Sequence, residues 1–281
     1  MRNSCISGPS AGPAPAIISF SNDSPALAQA YARSNGPQVG HGRLLLDDLH
    51  LASGESVLDL GAGTGELARL AAERVGASGS VLALEPLPER VSLAQAQPRT
   101  NLRWQVGGSE DLDGLPSAGF DVVLLNSVFH WIADQPRLLG DLGRLLKSQG
   151  RLGLSTGIAD RPHQQAQLLA PLLAKAIDTP GGLLTPPHTA RNDVLLQQLE
   201  QAGFVDVRIN QHTFVDHFAD LTSLLDWNAS SFFGNFLKGF SPSQTPELWS
   251  AAERSLERHR TNKGIELERY LLLVTARRAP S

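Results

Sequence analysis

A glycine-rich turn between an apolar run and a helical pattern is the part of this sequence best suited to chemistry. The stretch reads Val57-Leu58-Asp59-Leu60-Gly61-Ala62-Gly63-Thr64-Gly65. Glycines allow the backbone to bend sharply and to approach a ligand closely, and the helix that follows begins with N–H groups that have no partner within the helix. The turn therefore predicts a nucleotide-type cofactor in contact with Gly61, Ala62, Gly63 and Gly65.

The residues around the glycines decide which cofactors this turn suits. A dinucleotide fingerprint needs glycine at its first, third and sixth positions, but the sixth position here is Glu66, whose negative charge would face a pyrophosphate. A phosphate-binding loop is also disfavoured, because no Lys-Ser or Lys-Thr pair follows the glycines. Asp59 precedes the first glycine by two residues and suits a cofactor with a cationic amino group, reached directly or through water.

A second acidic residue ends the next predicted strand. Glu85 lies about twenty residues beyond the glycines, where an acid can accept hydrogen bonds from both hydroxyls of a ribose. We expect Glu85 and its neighbour Pro86 to contact the cofactor. The alternative is a solvated carboxylate at a strand end, and the preceding glycine turn favours the cofactor contact.

The stretch from Val57 to Gly65 resembles motif I of the class I S-adenosylmethionine-dependent methyltransferases, and Glu85 matches that family's ribose-binding acid. The resemblance covers residues 25–155 well and 190–212 loosely. It implies S-adenosyl-L-methionine as the cofactor. It also implies an α/β, Rossmann-like, doubly wound sheet of seven strands with the last strand antiparallel, here with a helical cap or lid.

Two further stretches match the family's cofactor and substrate motifs. Gly107-Gly108-Ser109-Glu110-Asp111-Leu112 resembles the adenine-binding turn, with glycine where an aspartate is common, so Ser109 and Glu110 would supply the contacts. Asn126-Ser127-Val128-Phe129-His130-Trp131 resembles small-molecule methyltransferases such as those acting on trans-aconitate and juvenile hormone acid. The resemblance implies Asn126 beside the cofactor and His130 and Trp131 beside the substrate.

The helices before the core carry a looser match. Tyr31 and Gln38 fit a Tyr…Gln…Gly pattern found in helices that often cover the cofactor in relatives. Tyr31 and Gln38 are therefore expected as cofactor contacts, with simple packing as the alternative for Tyr31.

His130 is the candidate catalytic residue, because its ordinary pKa suits proton transfer near neutral pH. A base is needed only if the nucleophile must lose a proton, so the alternative is that His130 hydrogen-bonds in the pocket wall or binds a substrate carboxylate. We expect no metal, because the spacing of His163, His188, His212 and His217 matches no zinc pattern.

Apolar runs and helical patterns alternate from Ser56 onward, which predicts a parallel sheet wrapped by helices. The predicted strands are Val57–Leu60, Val81–Leu84, Leu102–Val106, Val122–Asn126, Arg151–Ser155, Phe204–Thr213 and Leu267–Ala276. The predicted helices are Pro25–Arg33, Gln38–His50, Glu66–Val75, Glu89–Ala96, Gln135–Lys147 with Asp134 as its N-cap, His163–Asp178 and Asn192–Ala202.

These elements predict how the chain is organised. The Phe- and Trp-rich stretch near 220–250 is expected to form mostly core. Its segments are a disordered tail (1–20), helices covering the cofactor (21–50), the cofactor-binding core (51–159), a helical cap element (160–190), a core helix and strand six (191–214), a helical lid (215–263), and the final strand and tail (264–281). We expect the cap and lid to cover a mostly apolar substrate pocket.

Composition limits the partners. A net charge of −4 argues against a nucleic-acid partner, and no apolar run reaches the ~18 residues that span a bilayer. The single cysteine, Cys5, excludes an intramolecular disulfide. We expect a cytoplasmic methyltransferase with a small-molecule substrate, and a homodimer stays open. Two alternatives remain at this point, a nicotinamide-dependent oxidoreductase and a catalytically silent binding protein.

Overall fold

The computed structural model describes residues 18–173, 188–235 and 242–280, and the strands in these ranges form one mixed sheet. The strand order is β3-β2-β1-β4-β5-β8-β6, with the short β7 paired to β8. Strands β1 to β5 pair in parallel, and β8 lies antiparallel between β5 and β6. The bounds are β1 Ser56–Leu60, β2 Ser80–Glu85, β3 Leu102–Val106, β4 Phe120–Asn126, β5 Leu146–Gly157, β6 Phe204–Phe218, β7 Arg260–Thr261 and β8 Gly264–Arg278.

Nine α-helices lie in the described ranges, and those predicted from the sequence begin and end within a few residues of the expected positions, except that the predicted end of the helix His163–Asp178 lies outside the described residues. Asp134 caps α5 as predicted, since its carboxylate accepts a hydrogen bond from Arg137 N at 3.1 Å. The bounds are α1 Pro25–Ser34, α2 Gly36–Leu49, α3 Glu66–Val75, α4 Pro88–Gln95, α5 Gln135–Leu145, α6 Gln164–Leu173, α7 Asn192–Gln201, α8 Leu221–Ser231 and α9 Pro246–Leu256.

The central strands bury both faces. In β4, Val122 and Leu124 pack with residues of α2 and α3, whereas Val123 and Leu125 pack with residues of α5 and α7. Alternate residues of a strand point to opposite faces, so the near-continuous apolar runs of these strands reflect helices on both sides. The predicted doubly wound architecture is confirmed.

The last three long strands extend beyond the predicted bounds. Helix α5 ends at Leu145, two residues earlier than predicted, and β5 begins at the next residue. The ladder between β6 and β8 continues to the pair Phe218 and Ile265. Residues 215–218, which the sequence assigned to a helical lid, are therefore strand. The physical reason is that backbone pairing with β8 satisfies their N–H and C=O groups.

A third apolar cluster joins the helices that follow the core. Leu169 of α6, Leu224 and Trp227 of α8, and Ala252 and Leu256 of α9 are buried together. These helices lie within the predicted cap and lid ranges. Residues 1–17, 174–187, 236–241 and 281 lie outside the described residues, and with them most of the predicted tail, nearly half of the cap element, and Cys5.

Candidate active site

A cavity of about 570 Å³ lies at the carboxyl ends of the parallel strands. Its wall includes Leu60 at the end of β1, Gly61 directly after it, Glu85 at the end of β2 and Asn126 at the end of β4. Ligands of open α/β sheets bind at this edge. Side chains of α1, α2 and α8 also line the cavity, so the two helices before the core and one helix from the predicted lid meet over the same space.

The glycine turn has the conformation that its composition predicts. Gly61, Gly63 and Gly65 have φ of +76°, +59° and +92°, a region that favours glycine. A Cβ on Gly61 would lie 2.3 Å from a Val128 methyl group. Of the predicted turn contacts, Gly61 lines the cavity, whereas Ala62, Gly63 and Gly65 do not and instead shape the backbone behind it.

Asp59 is buried directly behind this turn. Among the described residues its Oδ2 has no hydrogen-bond partner, and burial, with the nearby charge of Glu85 adding to it, raises its pKa to about 7. Asp59 does not line the cavity itself, although Leu60 and Gly61 do. A buried carboxylate without a partner costs free energy, and a cofactor that brings a positive amino group fits that unmet need.

Glu85 is buried between the turn and α4. It accepts hydrogen bonds from Gly63 N at 2.8 Å and Leu87 N at 3.3 Å, and Arg90 Nη1 lies 3.9 Å from its Oε1. Burial raises the pKa of Glu85, and the Arg90 guanidinium opposes that rise. Pro86 lines the cavity beside it, as predicted for the cofactor-binding edge.

Arg90 is a cavity residue that the sequence did not single out. Its guanidinium lies 3.8 Å from the centre of the Tyr31 ring, and it donates to the Ser230 carbonyl at 3.0 Å. Burial raises the pKa of Tyr31 to about 12. A lone arginine on a helix carries no local sign of burial, so no sequence signal marked Arg90, whereas predicted Tyr31 does line the cavity.

Gln38 joins three elements around the cavity. Its Nε2 donates to Ser231 Oγ at 2.9 Å, and its Oε1 accepts from Trp227 Nε1 at 3.4 Å. Its carbonyl accepts from Asn126 Nδ2 at 3.0 Å. Both predicted residues, Gln38 and Asn126, therefore line the cavity and hold α2 against α8 and β4.

The predicted adenine turn also reaches the cavity. Gly108, Ser109 and Glu110 all line it. The Glu110 side chain is 76% exposed and pairs with Arg137 at 3.3 Å, so its carboxylate points partly toward solvent. Backbone groups of Ser109 are therefore better placed than the Glu110 carboxylate for a buried contact.

The residues after β4 form the other end of the cavity. His130 Nδ1 lies 3.2 Å from Thr156 Oγ1 and 3.4 Å from Gly157 N, and burial lowers the pKa of His130 to about 3. The Trp131 ring packs edge-on against Phe232 and Phe233, each at 5.2 Å between centroids. Predicted His130 and Trp131 thus line the same cavity as the glycine turn.

The described residues contain neither a cluster suited to a metal ion nor a helix suited to cross a membrane. In residues 18–173, 188–235 and 242–280 there is no group of three or more His, Cys, Asp and Glu side chains arranged to hold a metal ion. No helix within those ranges has the length and apolar character needed to cross a membrane.

Comparison with known proteins identifies methyltransferases. A family model described as a methyltransferase domain matches residues 58–154. Nocamycin O-methyltransferase of Saccharothrix syringae is 27% identical over 85% of this chain and 91% of its own length. An arsenite methyltransferase of Halobacterium salinarum is 29% identical over 66% of this chain, which spans only 45% of that relative. The crystal structure of the YcgJ protein of Bacillus subtilis has the same fold, with a TM-score of 0.59 at 15% identity, over 87% of this chain and 99% of that one.

Proposed function

Because this chain belongs to the class I S-adenosylmethionine-dependent methyltransferases, we propose that it methylates a small, largely apolar metabolite on a carboxylate or hydroxyl oxygen. One observation carries the proposal. A single cavity connects Gly61 and Glu85, at the predicted cofactor end, with His130 and Trp131, at the predicted substrate end. A methyl group and its acceptor can therefore meet within it.

The residues at the predicted cofactor end of the cavity fit S-adenosyl-L-methionine. In the proposed arrangement Glu85 binds the ribose, and the turn at Gly61 lies against the cofactor. The negative charge of Asp59 balances the positive charge of the cofactor's amino group. When bound, the cofactor supplies a methyl group on a sulfonium. The sulfur leaves as a neutral thioether, so the leaving group needs no acid. The protein contributes alignment and exclusion of water, worth ~7–11 kcal/mol when the reacting atoms are held in near-attack geometry.

The hydrogen bonds of His130 favour a binding role over a base. Gly157 N can only donate, so His130 Nδ1 must be the acceptor and Nε2 must carry the hydrogen. The pKa of about 3 keeps the ring neutral near pH 7. Nε2–H can then donate to a substrate oxygen, and no ring lone pair is left to take a proton. An acid that is already ionised needs no base, which supports methylation of an acidic oxygen.

The remaining wall supports an apolar substrate. Phe20, Trp131, Phe232 and Phe233 contribute rings to the cavity, and aromatic side chains supply large apolar surface for binding. The name of the Saccharothrix relative, an O-methyltransferase, agrees with transfer to oxygen. Arsenite is not favoured, because thiolates are the ligands that soft ions prefer and the chain has one cysteine.

Helices α6 and α8 support the proposal of a lid. Gln165 of α6 and Trp227 of α8 line the cavity, and the third apolar cluster packs these helices together with α9. The lid that we propose therefore comprises α6, α8 and α9, and it excludes residues 215–218.

Methyl transfer can be tested without knowing the substrate. We expect radiolabel from S-adenosyl-[methyl-³H]methionine to enter a small organic compound in a metabolite extract when wild-type protein is present. Gly61→Arg should abolish transfer, because its side chain fills the turn against Val128. Calorimetric titration with S-adenosylhomocysteine and with NAD should show binding of the first alone. Binding of S-adenosylhomocysteine without any transfer of radiolabel would favour the alternative of a catalytically silent binding protein.

A further inference from the structure

Four polar side chains, Ser127, His130, His163 and Arg269, line one part of the cavity, which we call the polar end. Of these the sequence singled out only His130 for the substrate. The hydrogen bonds behind them determine which of their atoms donate and which accept. That assignment identifies the kind of group that can bind there.

The hydroxyl of Ser127 is oriented through His41, which is buried on α2. Arg269 Nη1 lies 3.0 Å from His41 Nδ1, and a guanidinium only donates, so Nδ1 is the acceptor and Nε2 carries the hydrogen. His41 Nε2 lies 2.9 Å from Ser127 Oγ and therefore donates to it. The Ser127 hydrogen is then directed away from His41.

One contact favours the opposite tautomer of His41. The Pro37 carbonyl oxygen lies 2.7 Å from Nδ1 and could accept from it. That carbonyl also accepts from Arg269 Nη2 at 3.3 Å, and a carbonyl oxygen can accept two hydrogen bonds. A hydrogen on Nδ1 would, however, face the permanently charged guanidinium donor at 3.0 Å, and on that ground we assign the hydrogen of His41 to Nε2.

His163 and His130 present donors in the same way. Tyr270 N lies 3.3 Å from His163 Nδ1, so the hydrogen of His163 is on Nε2, as it is in His130. Burial lowers the pKa of His163 to about 3, with the charge of Arg269 adding to the effect. Both rings are therefore neutral donors near pH 7.

The charge of Arg269 is fixed in place by Asp216. The guanidinium donates to both Asp216 oxygens, at 2.6 and 3.1 Å, and both side chains are buried. A bidentate pair of this kind is rigid. Asp216 and Arg269 thus hold His41 in one tautomer while their own charges largely cancel.

Backbone strain at Ser127 is an independent observation. Its φ is +60°, a region that non-glycine residues rarely adopt, and Ser127 N donates to Ser155 Oγ at 2.8 Å, which holds the conformation. Non-glycine residues held in this region cluster at functional sites, because the surrounding structure must offset the strain. In this conformation Ser127 both contacts His41 and lines the cavity.

We propose that the polar end binds the oxyanion of a small organic acid, a carboxylate, phenolate or enolate, through donors from Ser127, His130 and His163. Ser127 is then a substrate-binding residue, and His41, Arg269 and Asp216 are positioning residues. A wall of donors matches an acceptor group and leaves a competing donor, such as an ammonium group, unpaired. The inference rests on the proposed function and narrows its substrate class.

Binding of octanoate and of neutral octanamide to protein saturated with S-adenosylhomocysteine tests this assignment. We expect the acid to bind wild-type protein at least about tenfold more tightly than the amide, as charge-assisted hydrogen bonds are the stronger ones. Ser127→Ala should weaken acid binding about tenfold. Ser127→Gly should weaken it equally while unfolding at the same or a higher temperature, because glycine tolerates this φ.

Two further measurements check the relay. His41→Gln keeps an N–H donor toward Ser127 and should retain acid binding, whereas His41→Ala should lose it about as strongly as Ser127→Ala. Nitrogen-15 NMR of wild-type protein should show His41, His130 and His163 as neutral tautomers with hydrogen on Nε2. Hydrogen on Nδ1 of His41, or equal binding of acid and amide, would overturn the inference.

Failure of the inference is separable from failure of the proposed function. All of these variants should bind S-adenosylhomocysteine within about twofold of wild type, because the changes lie at the polar end. If wild type binds S-adenosylhomocysteine but not octanoate, the acid site is wrong and the methyltransferase assignment stands. If wild type does not bind S-adenosylhomocysteine, the cofactor site is wrong instead.

Discussion

Two buried carboxylates, Asp59 and Glu85, lie near the end of the cavity that we propose for the cofactor, and their hydrogen bonds differ. Glu85 is held by two backbone N–H groups and by Arg90, so its position is set before any ligand binds. Asp59 has an oxygen without a hydrogen-bond partner among the described residues. Glu85 therefore acts as a fixed acceptor, whereas Asp59 gains a partner only when a ligand or water supplies one.

Replacement of Glu85 tests its role with the ribose. We expect Glu85→Ala to weaken S-adenosylhomocysteine binding by ~1.5–3 kcal/mol, the range for hydrogen bonds to a charged group. Isothermal titration calorimetry measures the difference. Glu73→Ala is the matched control, because Glu73 is an exposed carboxylate outside the cavity. Equal affinity of the Glu85→Ala variant and wild type would contradict the ribose contact.

Asp59 should make cofactor binding depend on pH. Its pKa of about 7 in the free protein means that it must lose a proton to pair with the amino group. We expect affinity for S-adenosylhomocysteine to fall by up to about tenfold per pH unit below pH 7 and to level off just above it. Calorimetry in buffers of different ionisation enthalpy would detect the proton released on binding.

The raised pKa of Asp59 affects folding in the opposite direction: it favours the folded free protein at low pH, whereas cofactor binding is favoured at high pH. A carboxyl group whose pKa is raised on folding stabilises the free protein at low pH, and this contribution is lost as the pH rises from about 4 through 7. Asp59→Asn removes both effects. A variant with the same pH dependence of binding as wild type would show that another group, such as Glu85, titrates instead.

At the element scale, α5 carries the chain from the residues that follow β4 back to β5. Its N-terminus is capped by Asp134, and its apolar face, including Leu138, Leu139 and Leu142, is buried. Gly140 lies on the exposed face of the helix, and a Cβ there would meet nothing within 4 Å.

Gly140→Ala should therefore stabilise the protein. Glycine within a helix is less stable than alanine by ~0.5–1 kcal/mol, and the added methyl group meets no obstacle. Urea denaturation should show this gain, with S-adenosylhomocysteine affinity unchanged. Gly61→Ala is the contrasting change, because its positive φ and its contact with Val128 should destabilise the turn. Lower stability of Gly140→Ala would indicate a contact that the exposed face does not predict.

At the scale of the whole molecule, the cavity is closed by elements that lie far apart in the chain. Helix α2 precedes the core and α8 follows β6, and Gln38 and Trp227 hold the two together. If α8 belongs to a lid, ligand binding should slow its opening.

Hydrogen exchange on residues 221–231 tests the lid. We expect at least about tenfold slower exchange when S-adenosylhomocysteine and an organic acid are bound than in the free protein. Residues 66–75 of α3 are the internal control, because the apolar side chains of that helix are buried against strands β1, β2 and β4. Equal protection of 221–231 in both states would contradict a lid role for α8.

Local patterns were sufficient to predict the family, the order of the core elements and the meeting of Gly61 and Glu85 at one edge of the sheet. Gly61 and Asp59 are neighbours, and Glu85 ends the next strand, so chain connectivity alone brings them to one edge of a parallel sheet. The helix cap Asp134 was equally predictable, because a cap bonds within its own first turn. These features depend on contacts between residues close in sequence.

The polar end was decided by tertiary structure alone. Ser127, His41, Arg269 and Asp216 come from a loop, a helix and two strands, and each is an ordinary residue in its own segment. Their roles arise from hydrogen bonds across as many as 228 positions of the chain. The same reason explains why Arg90 was missed and why residues 215–218 proved to be strand. Burial and pairing with distant segments determine which atom donates, which tautomer a histidine adopts and where a strand ends. The sequence of one segment does not show which distant segment it will contact.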